Sequence, residues 1–194
     1  MDIKTIAIVG AGELGRMFAN AAALAGFRTI LEDISPLALD QGIARIAQAL
    51  GDDVACGEII AALRDAALAN LSTANSAGDA SREADLIIET VSDEMEMKIE
   101  LFTIFDKFAK PGAIFASTTA SLSITDLAAV TSCPERCIGM RFTPGAWSAG
   151  RLHLVRAVTT SSETVEACRE VGRRLGWEVA LLREEQVASA SSGD

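Results

Sequence analysis

Three glycines in a G-x-G-x-x-G pattern constrain this chain more than any other feature of its sequence. Residues 5–9 read TIAIV, an apolar and β-branched run, and Gly10, Gly12 and Gly15 follow before a helical stretch. The motif is a weak signal by itself, but a strand before it and a helix after it are the context that it requires. In that context Gly10 allows a tight turn, Gly12 lets a pyrophosphate approach the backbone, and Gly15 lets helix and strand pack closely. The sequence therefore predicts a dinucleotide-binding unit.

The residues around this loop indicate which dinucleotide is bound. Glu13 and Leu14 open the helix, and its unpaired backbone N–H groups are expected to bind the pyrophosphate. A second strand ends at Asp33, 18 residues after Gly15, where an acid is expected to bind the ribose hydroxyls of adenosine. A carboxylate at that place repels a 2′-phosphate, so NAD is predicted rather than NADP. The alternatives are a simple tight turn for the glycines and a strand-end cap for Asp33.

Apolar runs that alternate with helical stretches predict the fold class. Several runs are apolar on consecutive residues, which is typical of strands buried on both faces of a parallel sheet. Strands are predicted over residues 5–9, 29–31, 85–91, 113–117, 137–142, 154–159 and 178–182. Helices are predicted over 14–25, from 36, over 57–71 (one helix or a helical pair), 95–109, 123–130 and 163–175. This order predicts an α/β protein with a Rossmann-type, doubly wound, mainly parallel sheet and a helical insertion after the second strand. We expect one dinucleotide-binding domain over residues 1–185 and a disordered tail over 186–194.

Charge and cysteine usage exclude several classes of function. The formal net charge of -10 argues against nucleic acid and anionic membranes as partners. No run of 18 apolar residues and no leader pattern is seen, so we expect a soluble, cytoplasmic protein. The cysteines form no Cys-x-x-Cys pair and the one histidine lies apart from them, so no metal site is predicted. The cysteines, taken as structural thiols, are Cys56, Cys133, Cys137 and Cys168.

Beyond the loop, from Ile3 to about Leu182, the chain resembles the NAD-binding domain of the 3-hydroxyacyl-CoA dehydrogenases. The segments that carry the resemblance are the loop with Asp33, residues 84–91 (ADLIIETV), 98–102 (KIELF), 116–127 (ASTTASLSITDL), 134–140 (PERCIGM) and 159–165 (TTSSETV). The resemblance implies an NAD-dependent oxidoreductase of fatty acid and acyl-CoA metabolism. It also implies that Glu89, Asp93 and Lys98 line the nicotinamide-ribose side of the cofactor, with Thr118 beside them at the family's Asn position. The alternatives are a strand-end turn residue for Glu89 and a solvated helix charge for Lys98.

The positions that carry chemistry in this family are substituted. The family's Ser-Asn-Thr-Ser-Ser reads STTAS at 117–121, which puts Ala120 at the substrate-binding serine. Its His-Phe-Phe-Asn-Pro reads RFTP at 141–144, which puts Arg141 at the catalytic base, and its Leu-Val-Glu-Val-Val is matched to LVRAV, which puts Arg156 at the orienting glutamate. Arginine stays protonated and does not act as a general base near neutral pH. His153 is the candidate for a relocated base, and a structural or surface role is its alternative.

These substitutions lead to three expectations. If Arg141 and Arg156 face each other, two cations would hold an anion or an anionic small-molecule substrate between them; the alternative is that they face solvent or pair with acids such as Asp93. The family's C-terminal helical domain does not follow residue 182, so a homo-oligomer or a partner chain is expected to cover the exposed face. The function is then either an NAD(H)-binding protein that lacks the family's chemistry or an active dehydrogenase with altered residues or a partner-supplied substrate domain. A truncated fragment of a larger protein is a third interpretation.

Overall fold

A computed structural model describes residues 1–142 and 151–184 of the chain. The strands are β1 (Thr5–Val9), β2 (Arg28–Glu32), β3 (Leu71–Thr73), β4 (Leu86–Glu89), β5 (Ile114–Ser117), β6 (Cys137–Phe142), β7 (Arg151–Arg156) and β8 (Glu178–Arg183). The helices are α1 (Glu13–Leu24), α2 (Pro36–Ala55), α3 (Ala61–Asn70), α4 (Ala77–Glu83), α5 (Met95–Phe108), α6 (Ile124–Ala129) and α7 (Ser162–Arg174), with a 3₁₀ turn at Pro134–Arg136. Together these elements form an α/β fold around one sheet.

The sheet has the order β3-β2-β1-β4-β5-β6-β7-β8. Strands β1 to β6 are parallel, β7 runs antiparallel to β6, and β8 is parallel to β7. The strand order reverses between β1 and β4, so the loops that leave these two strands diverge and open a crevice at their carboxyl ends. The predicted Rossmann-type, mainly parallel sheet is confirmed, and α2 and α3 are the predicted insertion after the second strand.

Alternate residues of the central strands feed two separate hydrophobic cores. On one face Ile6 and Ile8 of β1 pack with Phe18 of α1, in a cluster that includes α7. On the other face Ala7 and Val9 join a cluster with α4, α5 and α6. Because both faces are covered, β1, β4 and β5 are buried along their whole length, which explains the consecutive apolar runs.

Two short elements were absent from the sequence prediction. Strand β3 is three residues long and largely exposed, and it forms by pairing with β2, whose register joins Leu31 to Thr73. Helix α4 reads AGDASRE and is capped by Ser76, whose hydroxyl accepts the N–H of Asp79. Neither sequence has a strong propensity, so tertiary contacts decide both elements. The predicted helix over 57–71 is α3, which begins only at Ala61.

Strand β7 begins at Arg151, three residues before the predicted start. The predicted strand continued through residue 159, but the chain turns after Arg156. The Oγ1 of Thr160 accepts the N–H of Ala157 and donates to the carbonyl of Cys137, which closes this turn. This shift of three residues changes which side chains lie opposite β6.

The four cysteines are reduced, and three of them are buried. All four cysteines are free thiols, and only Cys56 is exposed. Burial raises the pKa of Cys168 and of Cys137 to about 12, so these thiols stay protonated.

Within residues 1–142 and 151–184, no helix has the length and apolar character needed to cross a bilayer. The predicted tail and two residues of the RFTP segment, Thr143 and Pro144, lie outside the described residues.

Candidate functional site

The glycine loop lies at the carboxyl end of β1, in the crevice at the strand reversal. Gly10 has a φ of 110°, in the region that favours glycine. A Cβ on Gly15 would lie 1.9 Å from the carbonyl oxygen of Gly10, so only glycine lets α1 approach this closely. A Cβ on Gly12 would meet nothing within 4 Å. Gly10 and Gly15 are therefore required by the chain itself, whereas Gly12 leaves the backbone open to a ligand.

The amino end of α1 fits an anionic ligand. Gly12 occupies the N-cap position and no side chain caps the helix, so the N–H groups of Glu13 and Leu14 point into the crevice. Arg16, a residue that the motif did not mark, donates from Nη1 to the carbonyl of Ala11 at 2.8 Å. Its guanidinium therefore adds a positive charge beside the loop, where it favours a bound pyrophosphate.

Asp33 holds the turn after β2 against the glycine loop. Its Oδ2 accepts the backbone N–H of Ala11 at 2.8 Å and its Oδ1 accepts that of Ser35 at 2.8 Å. A carboxylate has about four acceptor positions, so two bonds to the backbone leave room for ribose hydroxyls. The structure thus places the predicted ribose acid beside the predicted pyrophosphate site.

A buried ion pair lies under the other half of the crevice, between β4 and α5. The Nζ of Lys98 lies 2.7 and 2.8 Å from the two carboxylate oxygens of Glu89, and the two side chains are 1% and 0% exposed. Glu89 also accepts the hydroxyl of Ser117 at 2.7 Å and the N–H of Val91 at 2.7 Å. Lys98 is therefore not a solvated helix charge. Since neither side chain reaches the surface, the pair lies beneath the wall of the crevice that the family resemblance assigns to the nicotinamide and does not form the surface of that wall.

Asp93 lies 3.6 Å from the Nζ of Lys98 and accepts hydrogen bonds from the loop that follows β5. Its Oδ2 accepts the N–H and the hydroxyl of Ser121 at 3.3 and 2.9 Å and the N–H of Ala120 at 3.2 Å. Burial disfavours its charge, but hydrogen bonds from Thr119 and Ser121 and the charge of Lys98 hold the pKa of Asp93 below its ordinary value. The half-buried Thr118, at the end of β5, donates its N–H to the carbonyl of Glu89 at 3.1 Å. The four residues predicted for this side are therefore adjacent.

The register of β6 and β7 corrects one predicted pair. Arg141 lies directly opposite His153, not Arg156. Arg156 is three residues farther along β7, so it points to the opposite face of the sheet, about 10 Å along the strand. Its Nε donates to the carbonyl of Thr160 at 3.0 Å. The predicted facing of two arginines is wrong, and the place across from the family's base is occupied by His153.

Arg141 is half-buried at the carboxyl end of β6, on the face that carries Asp93. Burial lowers the pKa of its guanidinium, while the carboxylates of Asp93 and Glu184 raise it. Its Nε is buried and has no hydrogen-bond partner among the described residues. Glu184 accepts the N–H of Thr125 at 3.2 Å, with closer contacts to the Ile124 N–H and the Thr125 hydroxyl, so it fixes the start of α6 beside this arginine.

The sequence profile described as "3-hydroxyacyl-CoA dehydrogenase, NAD binding domain" matches residues 5–185. The chain belongs to the 3-hydroxyacyl-CoA dehydrogenase family. The match covers every element from β1 to β8, so the resemblance given by the loop and the downstream segments is confirmed. The open amino end of α1, the room at Gly12 and the position of Asp33 fit NAD, the cofactor of this domain.

Individual dehydrogenases of the family share sequence and fold with this chain. A 3-hydroxybutyryl-CoA dehydrogenase of Bradyrhizobium diazoefficiens is 37% identical over 182 residues, which are 94% of this chain and 62% of that protein. The crystal structure of (S)-3-hydroxybutyryl-CoA dehydrogenase from Ralstonia eutropha superposes with a TM-score of 0.89 at 32% identity, over 94% of this chain and 64% of that one. That of 3-hydroxybutyryl-CoA dehydrogenase from Escherichia coli gives a TM-score of 0.90 at 30% identity, over 94% and 39%. The chain thus spans less than two thirds of these 3-hydroxyacyl-CoA dehydrogenases.

Proposed function

We propose that this chain is an NAD(H)-binding member of the 3-hydroxyacyl-CoA dehydrogenase family that does not use the family's Ser/His/Glu chemistry. The observation that carries the proposal is Arg141, which occupies the position of the base on the face that carries Asp93. Although its pKa is lowered by burial, two neighbouring carboxylates favour its charged form. A group that stays charged has no free site to accept a proton from a hydroxyl substrate.

The other positions of the chemical site support the same conclusion. Ala120 has no hydroxyl to hold the substrate, and its backbone N–H is already bonded to Asp93. Loss of a general base alone lowers a rate by about 100- to 10,000-fold. By contrast, the glycine loop and Asp33 are in place for the cofactor. The site therefore favours binding of the dinucleotide over turnover.

A second candidate function is an active dehydrogenase that uses His153 as its acid–base group. The register of β6 and β7 favours it, because His153 is half-buried and directly across from Arg141. In this arrangement the imidazole would come from β7, and the family's histidine position on β6 would be occupied by the cationic Arg141. A substrate domain supplied by a partner chain is compatible with either function.

Two titrations separate these functions. NADH is first titrated into the protein and followed by nicotinamide fluorescence, and acetoacetyl-CoA is then added while NADH absorbance is recorded. Tight binding without oxidation supports the first function. Oxidation that is lost in His153→Asn but retained in Arg156→Gln, a control on the opposite face of the same strand, supports the second. Absence of NADH binding would contradict both functions.

A further inference from the structure

The two edges of the sheet differ in length and composition. At one edge β3 has three residues, LST, and its two polar residues are exposed. At the other edge β8 has six residues, EVALLR, and among the described strands it pairs only with β7. Proteins protect sheet edges with short strands, charges, prolines or covering segments, because an unpaired strand is a template for another strand. Strand β3 is protected by its length, whereas β8 is long and carries charges only at its ends.

The outer edge of β8 offers both backbone groups and apolar side chains. Within residues 1–142 and 151–184, the backbone of residues 178–182 hydrogen-bonds to β7 alone, so every other residue directs its N–H and C=O outward. Leu181 is 40% exposed on the face that carries α7, where Val179 is half-buried. Leu182, the register neighbour of Val155, is half-buried on the other face. An added strand would pair with this backbone and cover the leucines.

A second copy of β8 can pair with the first in few registers. A two-fold axis perpendicular to the sheet makes the two strands antiparallel and keeps each side chain on its own face. Since directly opposite residues lie on the same face, the axis has to pass through a residue and not between two residues. An axis at Leu181 would set Glu178 against Glu184 of the second copy, and like charges directly opposite each other are destabilising. Axes closer to either end of β8 leave fewer residues opposite each other.

The remaining register has its axis at Ala180 and is compatible with the side chains. It sets Val179 against Leu181 of the second copy, and the reverse, so apolar residues meet on the α7 face. The small side chain of Ala180 lies opposite its own copy. Glu178 faces no acid in this register, and its charge is already compensated by Arg151 on β7, at 2.9 Å. Charge and apolar contact therefore favour the same arrangement.

We propose that β8 is a homodimer interface, in which the β8 strands of two copies pair antiparallel about a two-fold axis at Ala180 and join their sheets into one. The contact is about 20 Å long and one strand deep, which buries less surface than the roughly 800 Å² per partner of stable complexes. The dimer is therefore in equilibrium with the monomer. Arg141, His153 and Ala180 are register neighbours in one row across β6, β7 and β8, so pairing extends the row that contains the family's base position.

Sedimentation velocity at increasing protein concentration measures this equilibrium. We expect the average sedimentation coefficient of the wild-type protein to rise from the monomer value toward the dimer value. Leu181→Lys places a charge on the edge and should raise the dissociation constant on the order of tenfold. Leu63→Lys, at an equally exposed leucine of α3 (39% against 40%), is the matched control and keeps the wild-type association. A wild-type chain that stays monomeric, or equal weakening by the two substitutions, would overturn the proposal.

Hydrogen exchange in the wild-type protein locates the contact without any substitution. The amides of β8 should exchange more slowly as the protein concentration rises, whereas those of β3, at the other edge, should exchange at the same rate throughout. Exchange in β8 that does not change with concentration would overturn the proposal. If that constant exchange is slow, other residues of the chain cover the edge.

A cysteine at the axis tests the register. Ala180→Cys is made together with Cys56→Ser, because the other cysteines of the chain are buried. The two new thiols then lie opposite each other at a Cα separation of about 4.5–5.5 Å, within the range that disulfides span. A mild oxidant such as diamide should therefore crosslink the dimer. Glu178→Cys, on the same strand and face, lies four residues or about 13 Å along the strand from its own copy and should not crosslink; equal crosslinking of the two variants would overturn the proposed pairing.

Discussion

The buried ion pair of Lys98 and Glu89 gives the sharpest test of what holds the nicotinamide end of the site together. Replacement of Lys98 by methionine keeps a long, flexible side chain but removes the positive charge. Glu89 then keeps its bonds from Ser117 and from the N–H of Val91, and loses both contacts to Nζ, at 2.7 and 2.8 Å. The carboxylate would be left buried and without a counter-charge.

The expected loss of stability is large compared with the total. Removal of one partner of a buried pair costs about 3–5 kcal/mol, because the remaining charge has been taken out of water without compensation. The upper half of this range applies here, since Lys98 also lies 3.6 Å from Asp93, which loses the same cation. A domain of this kind has a free energy of unfolding of about 5–15 kcal/mol, so Lys98→Met removes a substantial part of it.

Urea unfolding followed by far-UV circular dichroism measures this loss. An equal slope m in wild type and variant verifies that both expose the same surface in the same two-state transition. The double variant Lys98→Met/Glu89→Gln is expected to recover about 2 kcal/mol or more, because the unpaired charge is gone. Arg173→Met is the matched control, since its pair with Glu170 is 70% and 55% exposed and should be worth less than about 1 kcal/mol. A loss below about 1 kcal/mol in Lys98→Met, or a double variant no more stable than the single one, would refute the reasoning.

Three further predictions concern the loop, the buried acid and a helix cap. Gly15→Ala places a Cβ 1.9 Å from the Gly10 carbonyl and is expected to lower both the melting temperature and NADH affinity, whereas Gly12→Ala has free space and should lower NADH affinity alone; equal melting temperatures in the two variants would contradict this. Because the pKa of Glu32 is raised from 4.5 to about 7, the contribution of this residue to stability should fall, by at most about 3 kcal/mol, as the pH rises from below 4.5 to above 7. Glu32→Gln should lack this fall in urea titrations across that range, and a parallel fall would disprove the assignment. Ser161→Ala removes the hydroxyl that accepts an N–H in the first turn of α7 and should cost about 1 kcal/mol, measured by the same unfolding assay.

The sequence predicted the parts of the fold that depend on local pattern. The run TIAIV and the three glycines specify β1, the turn and α1 almost to the residue, because burial on both faces and close backbone approach permit few other residues there. Pro36 and the helix it opens were also predicted, since a fixed φ suits the first helical turn. Strand β3 and helix α4 were missed because their sequences are weak and their neighbours determine them.

The functional site was predicted less completely than the fold. Asp33 was found by its spacing from the loop, and Asp93 and Lys98 by the family resemblance. Lys98 and Ser117 both bind the carboxylate of Glu89, and Ser117 reaches it because β4 and β5 are adjacent in the sheet. The spacing of these residues along the chain does not reveal this contact.

The pairing across β6 and β7 shows how a small error in register changes a chemical interpretation. In the segment LHLVR the leucines Leu152 and Leu154 face the core shared with α1 and α7, whereas Val155 faces the core on the other side of the sheet. Placing the strand three residues later turns Arg156 toward the face of Arg141, because an odd shift exchanges the two faces of a strand. The observed register removes the two-arginine anion site and brings an imidazole to that place instead.

The cost to folding stability explains why the buried residues at this end of the site can be kept while the residues at its rim are substituted. Lys98 and Ser117 are buried and both are bonded to the buried carboxylate of Glu89, so a change in any one of the three leaves an unpaired polar group and destabilises the domain. Ala120 is exposed and Arg141 only half-buried, at the rim of the same crevice, where substitution costs little folding energy. The residues that shape the cofactor wall are therefore tied to folding, and the residues that would perform acid–base chemistry are not. A chain of this fold can lose the family's reaction and still keep an intact place for NAD.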